Sequence, residues 1–200
     1  ERLAERLGST LVWQRYSRLV VDCNRQPQAP GAMVEIADGT VVPGNRGLTA
    51  DARAARLREI HAPYHTAIAS TLDERQARGL STIVVSLHSF TPRLLARPSE
   101  RPWPVALCWG RDDRFARRVH AALVAGTAGL LVGQNEPYTV DMVEDYTIPV
   151  HGEGRGLAYV EIEVRQDQLG DAAGQAGWAD RLAAALARAV EGFARVRGEG

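Results

Sequence analysis

The sequence predicts an α/β fold, a three-layer sandwich in which helices cover both faces of a mixed, mostly parallel sheet. Two observations carry this. Short apolar, β-branched runs (RLVVD, STIVVSL, PVALCWG, GLLVG, AYVEIEV) alternate with longer stretches of helical period, the pattern of strands joined by covering helices. The closing stretch WADRLAAALARAVEGFARV sets Trp178, Leu182, Leu186, Ala189 and Phe193 on one helical face, and that face needs a sheet to bury it. A chain of 200 residues suits one domain, residues 1–200, with a full core.

The elements follow in order. ERLAERLG reads as an amphipathic helix stopped by Gly8, which accepts the left-handed backbone of a helix end. STLVWQR and RLVVD read as two short strands. Residues 26–48 hold Pro27, Pro30, Pro43 and four glycines, so a long loop with a brief hairpin is expected, of a length that usually serves function. Thr49 caps a helix running to residue 78, with Leu57, Ile60, Tyr64, Ile68 and Thr71 in helical period and a kink at Pro63. STIVVSL is β-branched enough for a central parallel strand. A proline- and arginine-rich loop precedes strand PVALCWG, a helix over 112–125, strand GLLVG and a long loop over 134–156. Strand AYVEIEV and the closing helix complete the chain.

Composition excludes several functions. Net charge is zero, from 24 basic and 24 acidic residues, which argues against a nucleic-acid or anionic-membrane partner held by bulk charge. No apolar run approaches the roughly 20 residues of a membrane span, and no signal-peptide pattern is visible. Two cysteines, Cys23 and Cys108, make no disulfide framework, so a cytoplasmic setting is expected. Every basic residue is arginine; there is no lysine. A Schiff-base lysine, a pyridoxal-phosphate anchor and a P-loop are therefore excluded, and each cation is a planar fork suited to carboxylate or phosphate.

Polar groups gather where strands give way to loops. RLVVDCNR ends an apolar run in Asp22, Asn24 and Arg25; such charges are either paired or used on an anion. VVSLHSFTP ends in His88, flanked by Ser86 and Ser89, suited to a metal ligand, a general base or a structural strand end, and one imidazole alone cannot hold zinc. AYVEIEVRQD alternates Glu161, Glu163 and Arg165 with apolar residues. That face is solvated if the strand is an edge, and offers a general base if it borders a pocket. His61 and His65 in REIHAPYH lie four apart, but no Glu follows the first, so a structural or substrate-side role is favoured over metal ligation. GEGRGL precedes a strand and lacks a third glycine, and no GxSxG elbow is present, which removes dinucleotide binding and weakens a serine hydrolase. Four strands are expected to deliver polar groups from their C-terminal ends into one pocket.

DCNR, PGNRGL, IHAPYH, SLHSFTP, GQNEPY, DYTIPVHGE and VEIEVRQD, in this order over residues 9–169, resemble the N-formylglutamate amidohydrolase family. That resemblance implies a phosphorylase/hydrolase-like sandwich similar to zinc carboxypeptidases and aspartoacylase-type deacylases, one zinc ion, and hydrolysis of an amide beside a carboxylate. It implies that Asn24 and Arg25 grip the substrate carboxylate with Asp22 orienting Arg25, and that His88 is a zinc ligand. It makes Glu163, of the Glu163-Val164-Arg165 triplet, the general base, with Glu161 as the fallback. Arg155 is a candidate second clamp and Tyr146 a candidate substrate hydrogen-bond donor. The remaining zinc ligands are expected from a strand and a histidine-bearing loop upstream of residue 1; His61, His65 and His151 are the substitutes within the chain.

The expected function is zinc-dependent hydrolysis of an N-formyl or short N-acyl amino acid, N-formylglutamate first, giving formate and glutamate in amino-acid catabolism (histidine degradation). The expected partner is that small molecule, with no nucleic acid or membrane and the oligomeric state open. Two alternatives stand beside it. One is a deacylase or peptidase for a longer acyl-amino acid, set against the formyl reading by whether Phe90, Arg93 and Trp103 fold inward. The other is a metal-free carboxylate-binding module.

Overall fold

The structure, a computed structural model, describes residues 1–96 and 100–197. The chain opens with α1 (Arg2–Leu7), ended by Gly8 at φ 57. The expected strands STLVWQR and RLVVD do not form. Their apolar residues find burial without a ladder: the Asp22 N–H donates to Ala32 O at 2.8 Å, and Val21 and Cys23 pack with Met33 against Leu57, Ile60 and Tyr64. The anticipated hairpin is present as β1 (Ile36–Ala37) and β2 (Thr40–Val41).

The loop of residues 26–48 is irregular but pinned. Buried Asn45 donates through Nδ2 to Leu19 O and Val34 O, at 2.9 and 2.7 Å. Arg56 reaches back from the next helix to Val20 O, Asn45 Oδ1 and Gly44 O, all within 2.7 Å. These bonds satisfy carbonyls that have no strand partner, as buried backbone requires.

Thr49 caps α2 (Ala50–Arg56) by accepting from Ala52 N at 3.2 Å. A π-helical turn, Leu57–His61, joins it to α3 (Ala62–Ala77). The kink expected at Pro63 thus takes the form of one widened turn just before it, where the missing proline N–H interrupts the regular ladder. The Gln14 side chain reaches this turn at Ile60 O, 3.5 Å away.

The main sheet contains β3 (Ile83–Phe90), β4 (Val105–Cys108), β5 (Val132–Gln134) and β6 (Ala158–Arg165), ordered β3-β6-β4-β5. β3 runs parallel to β6 and β4 to β5, while β4 and β6 are antiparallel. One expectation is overturned here, and one open alternative is decided. STIVVSL is not central but an edge strand among the described residues, and AYVEIEV lies inside the sheet with Ala158–Val164 all buried. β-branched content reports what covers a strand's faces, not how many neighbours it has.

α4 (Arg114–Gly126), α5 (Ala172–Arg197) and α1 cover one face of the sheet. Phe115, Val119, Leu123, Trp178, Leu182 and Leu186 pack there against Leu107, Val160, Ile162 and Val164. Each such fully buried side chain contributes about 1.5–3 kcal/mol; Leu182→Ala would cost about 2–5 kcal/mol. The other face carries α3 and the segment 134–156, which itself holds a π-helical turn, Thr147–Gly152. The three layers are therefore helices, sheet, and helix with ordered loop. Among the described residues no helix is long and apolar enough to cross a membrane.

Candidate active site

The register of the sheet builds the polar face. Ser86 lies beside Glu161 and His88 beside Glu163 across β3 and β6. On the other side Glu161 neighbours Cys108 and Glu163 neighbours Ala106, small residues that leave room above the carboxylates. Ile162 and Val164 point the opposite way into the helical core, so alternation alone delivers both acids to one face. Because β4 runs against β6, only β3 and β6 bring their C-terminal halves here. Of the four strands expected to deliver polar groups here, β3 and β6 do so directly, β5 through its following loop at residues 137–139, and RLVVD as a turn instead of a strand.

An irregular turn supplies the rest. Asp22 Oδ1 accepts from Asn24 N at 2.9 Å, and Arg25 N donates to Asp22 O at 3.1 Å, an Asx-type turn that bends the chain over the sheet. Asn24 Oδ1 accepts from Thr147 N at 3.2 Å, which turns Nδ2 towards Glu161 Oε2, 3.4 Å away. Arg25 Nη1 meets Asp145 Oδ1 at 2.6 Å and lies 3.9 Å from Glu144. Asp22 does not pair with Arg25; its Oδ2 holds Arg18 at 2.7 Å. His88 Nε2 shares a hydrogen bond with Ser86 Oγ at 2.8 Å and stands 3.6 Å from Glu161 Oε2.

Burial sets the electrostatics. Desolvation pushes Glu161 up to about 7, against the Asn24 hydrogen bond that favours its charge. Desolvation and the neighbouring Glu161 push Glu163 up to about 8. Glu163 Oε2 is buried and has no hydrogen-bond partner. Asp145 rises to about 6 because burial outweighs its bond to Arg25. Burial lowers the His88 pKa, keeping the ring neutral at pH 7. Two raised carboxylates on one face, beside a neutral imidazole and a guanidinium, form an acid–base constellation.

These groups line one open groove of about 1320 Å³, which takes in Asn24, Arg25, His88, Asp145, Glu161 and Glu163. The position 25, 88 and 163 side chains thus share a cavity. Arg155 does not line it; it pairs with Asp73 at 2.6 Å beside the start of β6. Tyr146 gives its backbone N–H to Asn24 O at 3.0 Å, and its ring lies on His61 and His65 rather than in the groove. Arg165 is turned outward to Asp167 and to Arg101 O. Of the three residues expected to set acyl size, Phe90 is buried, Arg93 is exposed and Trp103 packs by Gly133; none lines the groove, so the inward packing that would favour formyl over a longer acyl group is not found at them. Residues 97–99 of that loop lie outside the described residues.

A model of the N-formylglutamate amidohydrolase family matches residues 1–170. The chain belongs to that family. It is similar over 96% of its length to the crystal structure of a gene product from Agrobacterium tumefaciens, with 35% identity, a TM-score of 0.87 and 75% of that chain covered. The crystal structure of N-formylglutamate amidohydrolase from Ralstonia eutropha JMP134 shares the fold at 18% identity and a TM-score of 0.63, over 87% of this chain and 73% of that one. No curated protein matches the chain.

The zinc ion that the sequence resemblance implies makes the donor set worth testing. Among the described residues no three His, Cys, Asp or Glu side chains converge as one cation requires. His88 Nε2 and Glu161 are the adjacent donors of this amidohydrolase-family chain, short of the three protein ligands a catalytic zinc takes. The described residues do not by themselves fit the metal. Sequence reasoning missed Asp145 and Thr147, although DYT was visible as a motif; their partners, Arg25 and Asn24, lie more than a hundred residues away, and periodicity carries no such signal.

Proposed function

We propose that this chain hydrolyses the amide of an N-formyl amino acid, with N-formylglutamate as first substrate, to formate and the free amine. One observation carries the reading: a buried carboxylate with an unpaired oxygen, Glu163, shares a groove with the Asn24–Arg25 turn. Asp145 occupies only Nη1 of Arg25, and among the described residues Nη2 and Nε make no hydrogen bond. That edge is placed to take a substrate carboxylate as a bidentate pair.

With the carboxylate so held, the formyl carbon lies over β6. Ionised Glu163 takes a proton from water, the resulting hydroxide adds to the formyl carbon, and the C–N bond breaks as the same proton passes to the amine nitrogen. The released amine takes the remaining hydroxyl proton of the formic acid, so that formate and an ammonium product leave. Glu161, held by Asn24, keeps the second carboxylate beside the reacting face.

The test is formate release from N-formylglutamate by the folded protein, with and without added zinc, and with N-acetylglutamate and longer N-acyl forms beside it. Formate release dependent on Glu163 supports the reading. Turnover only of longer acyl forms replaces the substrate class. Glutamate binding without turnover of any, zinc-loaded or not, makes the chain a carboxylate-binding module.

A further inference from the structure

Three successive carbonyls in the turn that presents Asn24 and Arg25 are each taken by a donor. Cys23 O lies 2.7 Å from His65 Nε2, Asn24 O 3.0 Å from Tyr146 N, and Arg25 O 3.0 Å from His61 Nε2. A carbonyl oxygen only accepts, so both imidazoles carry hydrogen on Nε2. A neutral His65 then has an accepting Nδ1, and His151 Nε2, 3.0 Å away, must donate to it. His151 Nδ1 is left as a buried lone pair, and it is indeed without a partner. One arrangement of protons satisfies the whole set.

The helix delivers this pair through its distortion. His61 ends the π-helical turn and His65 follows one turn into α3, with ring centroids 4.5 Å apart. Both are buried, and the Tyr146 ring lies against each. Desolvation lowers the pKa of His61, and takes His65 and His151 to about 4, consistent with neutral rings. Since His61 Nε2 and both nitrogens of His65 are already committed, these residues are occupied as hydrogen-bonding groups.

We propose that His61 and His65 are positioning residues for carboxylate recognition: as fixed Nε2–H donors they clamp the carbonyls on either side of Asn24, so that the Asn24 amide and the Arg25 guanidinium face the groove, while His151 sets the tautomer of His65. This rests on the reading of Arg25 as the substrate-carboxylate grip. On one side the turn is held by a single antiparallel bridge of Arg25 to Asp145, with Gln26 N donating to Glu144 O at 2.7 Å; on the other, where no strand pairs with it, the two imidazoles take the carbonyls.

The experiment compares wild type, His65→Leu and His65→Gln on N-formylglutamate and on the same formamide with both carboxylates converted to neutral amides. His65→Leu should raise KM for the acid by roughly tenfold or more and change kcat/KM for the neutral diamide by less than about threefold. His65→Gln, which keeps an N–H donor, should stay near wild type on both. Equal losses on the two substrates, or Gln behaving as Leu, would overturn the clamp. Nitrogen-15 spectra of labelled histidine in the wild-type protein give a second readout that needs no turnover. Nε2–H tautomers at positions 61 and 65 at pH 7 support it, and an Nδ1–H or doubly protonated ring at either position overturns it. If wild type releases no formate from either substrate, the proposed function fails, and these spectra still decide the clamp.

Discussion

The Asn24 amide is oriented by both its ends: Thr147 N–H holds the oxygen at 3.2 Å, and the nitrogen faces Glu161 Oε2 at 3.4 Å. This bond opposes the desolvation that raises Glu161 to about 7. Asn24→Asp would set a second negative charge there and remove the donor. The expected outcome is a fall in kcat at pH 7 of about tenfold or more, with the apparent pKa of the pH–rate profile displaced upward. Steady-state kinetics between pH 5 and 9 check it, and an unchanged profile would separate Asn24 from the chemistry.

Glu163→Gln should remove the base while keeping the shape of the groove. Activity should fall by roughly two to four orders of magnitude, with KM within a few-fold. Stability should respond the other way. A carboxyl whose folded pKa is raised to about 8 contributes stability that is complete below its unfolded value and is lost as pH rises through about 8. The melting temperature of the Gln variant should therefore gain on wild type from pH 5 to pH 9, as scanning calorimetry would record.

Arg25→Lys keeps the charge and loses the planar fork. The prediction is a KM for N-formylglutamate raised by about tenfold or more, with kcat within about threefold. Loss of kcat at constant KM would instead place Arg25 at the reacting centre.

His151→Gln tests the buried imidazoles through pH. His151 is depressed to about 4 by desolvation, so between its unfolded value and about 4 the unfolded chain binds a proton that the folded chain does not. Its contribution is present above about 6.5 and lost as pH falls. Wild type should lose stability relative to the Gln variant by about 1.4 kcal/mol per pH unit over that range. Urea titrations at pH 7, 6 and 5 would show this, and parallel curves would mean that the ring is solvated.

The α/β class, the covering helices and the groove-lining His88, Glu161 and Glu163 were legible because periodicity and strand-end polarity are local signals; Asn24 and Arg25 stood out as the polar end of an apolar run, although that run forms no strand. The strand order was not. Alternating Glu161 and Glu163 looks the same on an edge strand as on an interior one, and only the neighbours β3 and β4 decide it. STLVWQR had the composition of a strand but no ladder to join. The bond of Asp145 to Arg25 and that of Thr147 to Asn24 join segments brought together by the fold, which no spacing rule reaches. His61 and His65 were visible as an i, i+4 pair; that they grip backbone carbonyls depends on the extra residue in the π-helical turn.

The knot of Asn45 and Arg56 has a bearing on where the chain opens locally. By fastening Leu19, Val20, Val34 and Gly44 together, it ties the proline-rich stretch to the following helix, outside the lining of the groove. Exposed Trp13 and Tyr16 line the groove itself, in a stretch that joins no strand ladder. Amide exchange should therefore run faster around Trp13 and Tyr16 than along the carbonyl-tied stretch from Leu19 to Gly44.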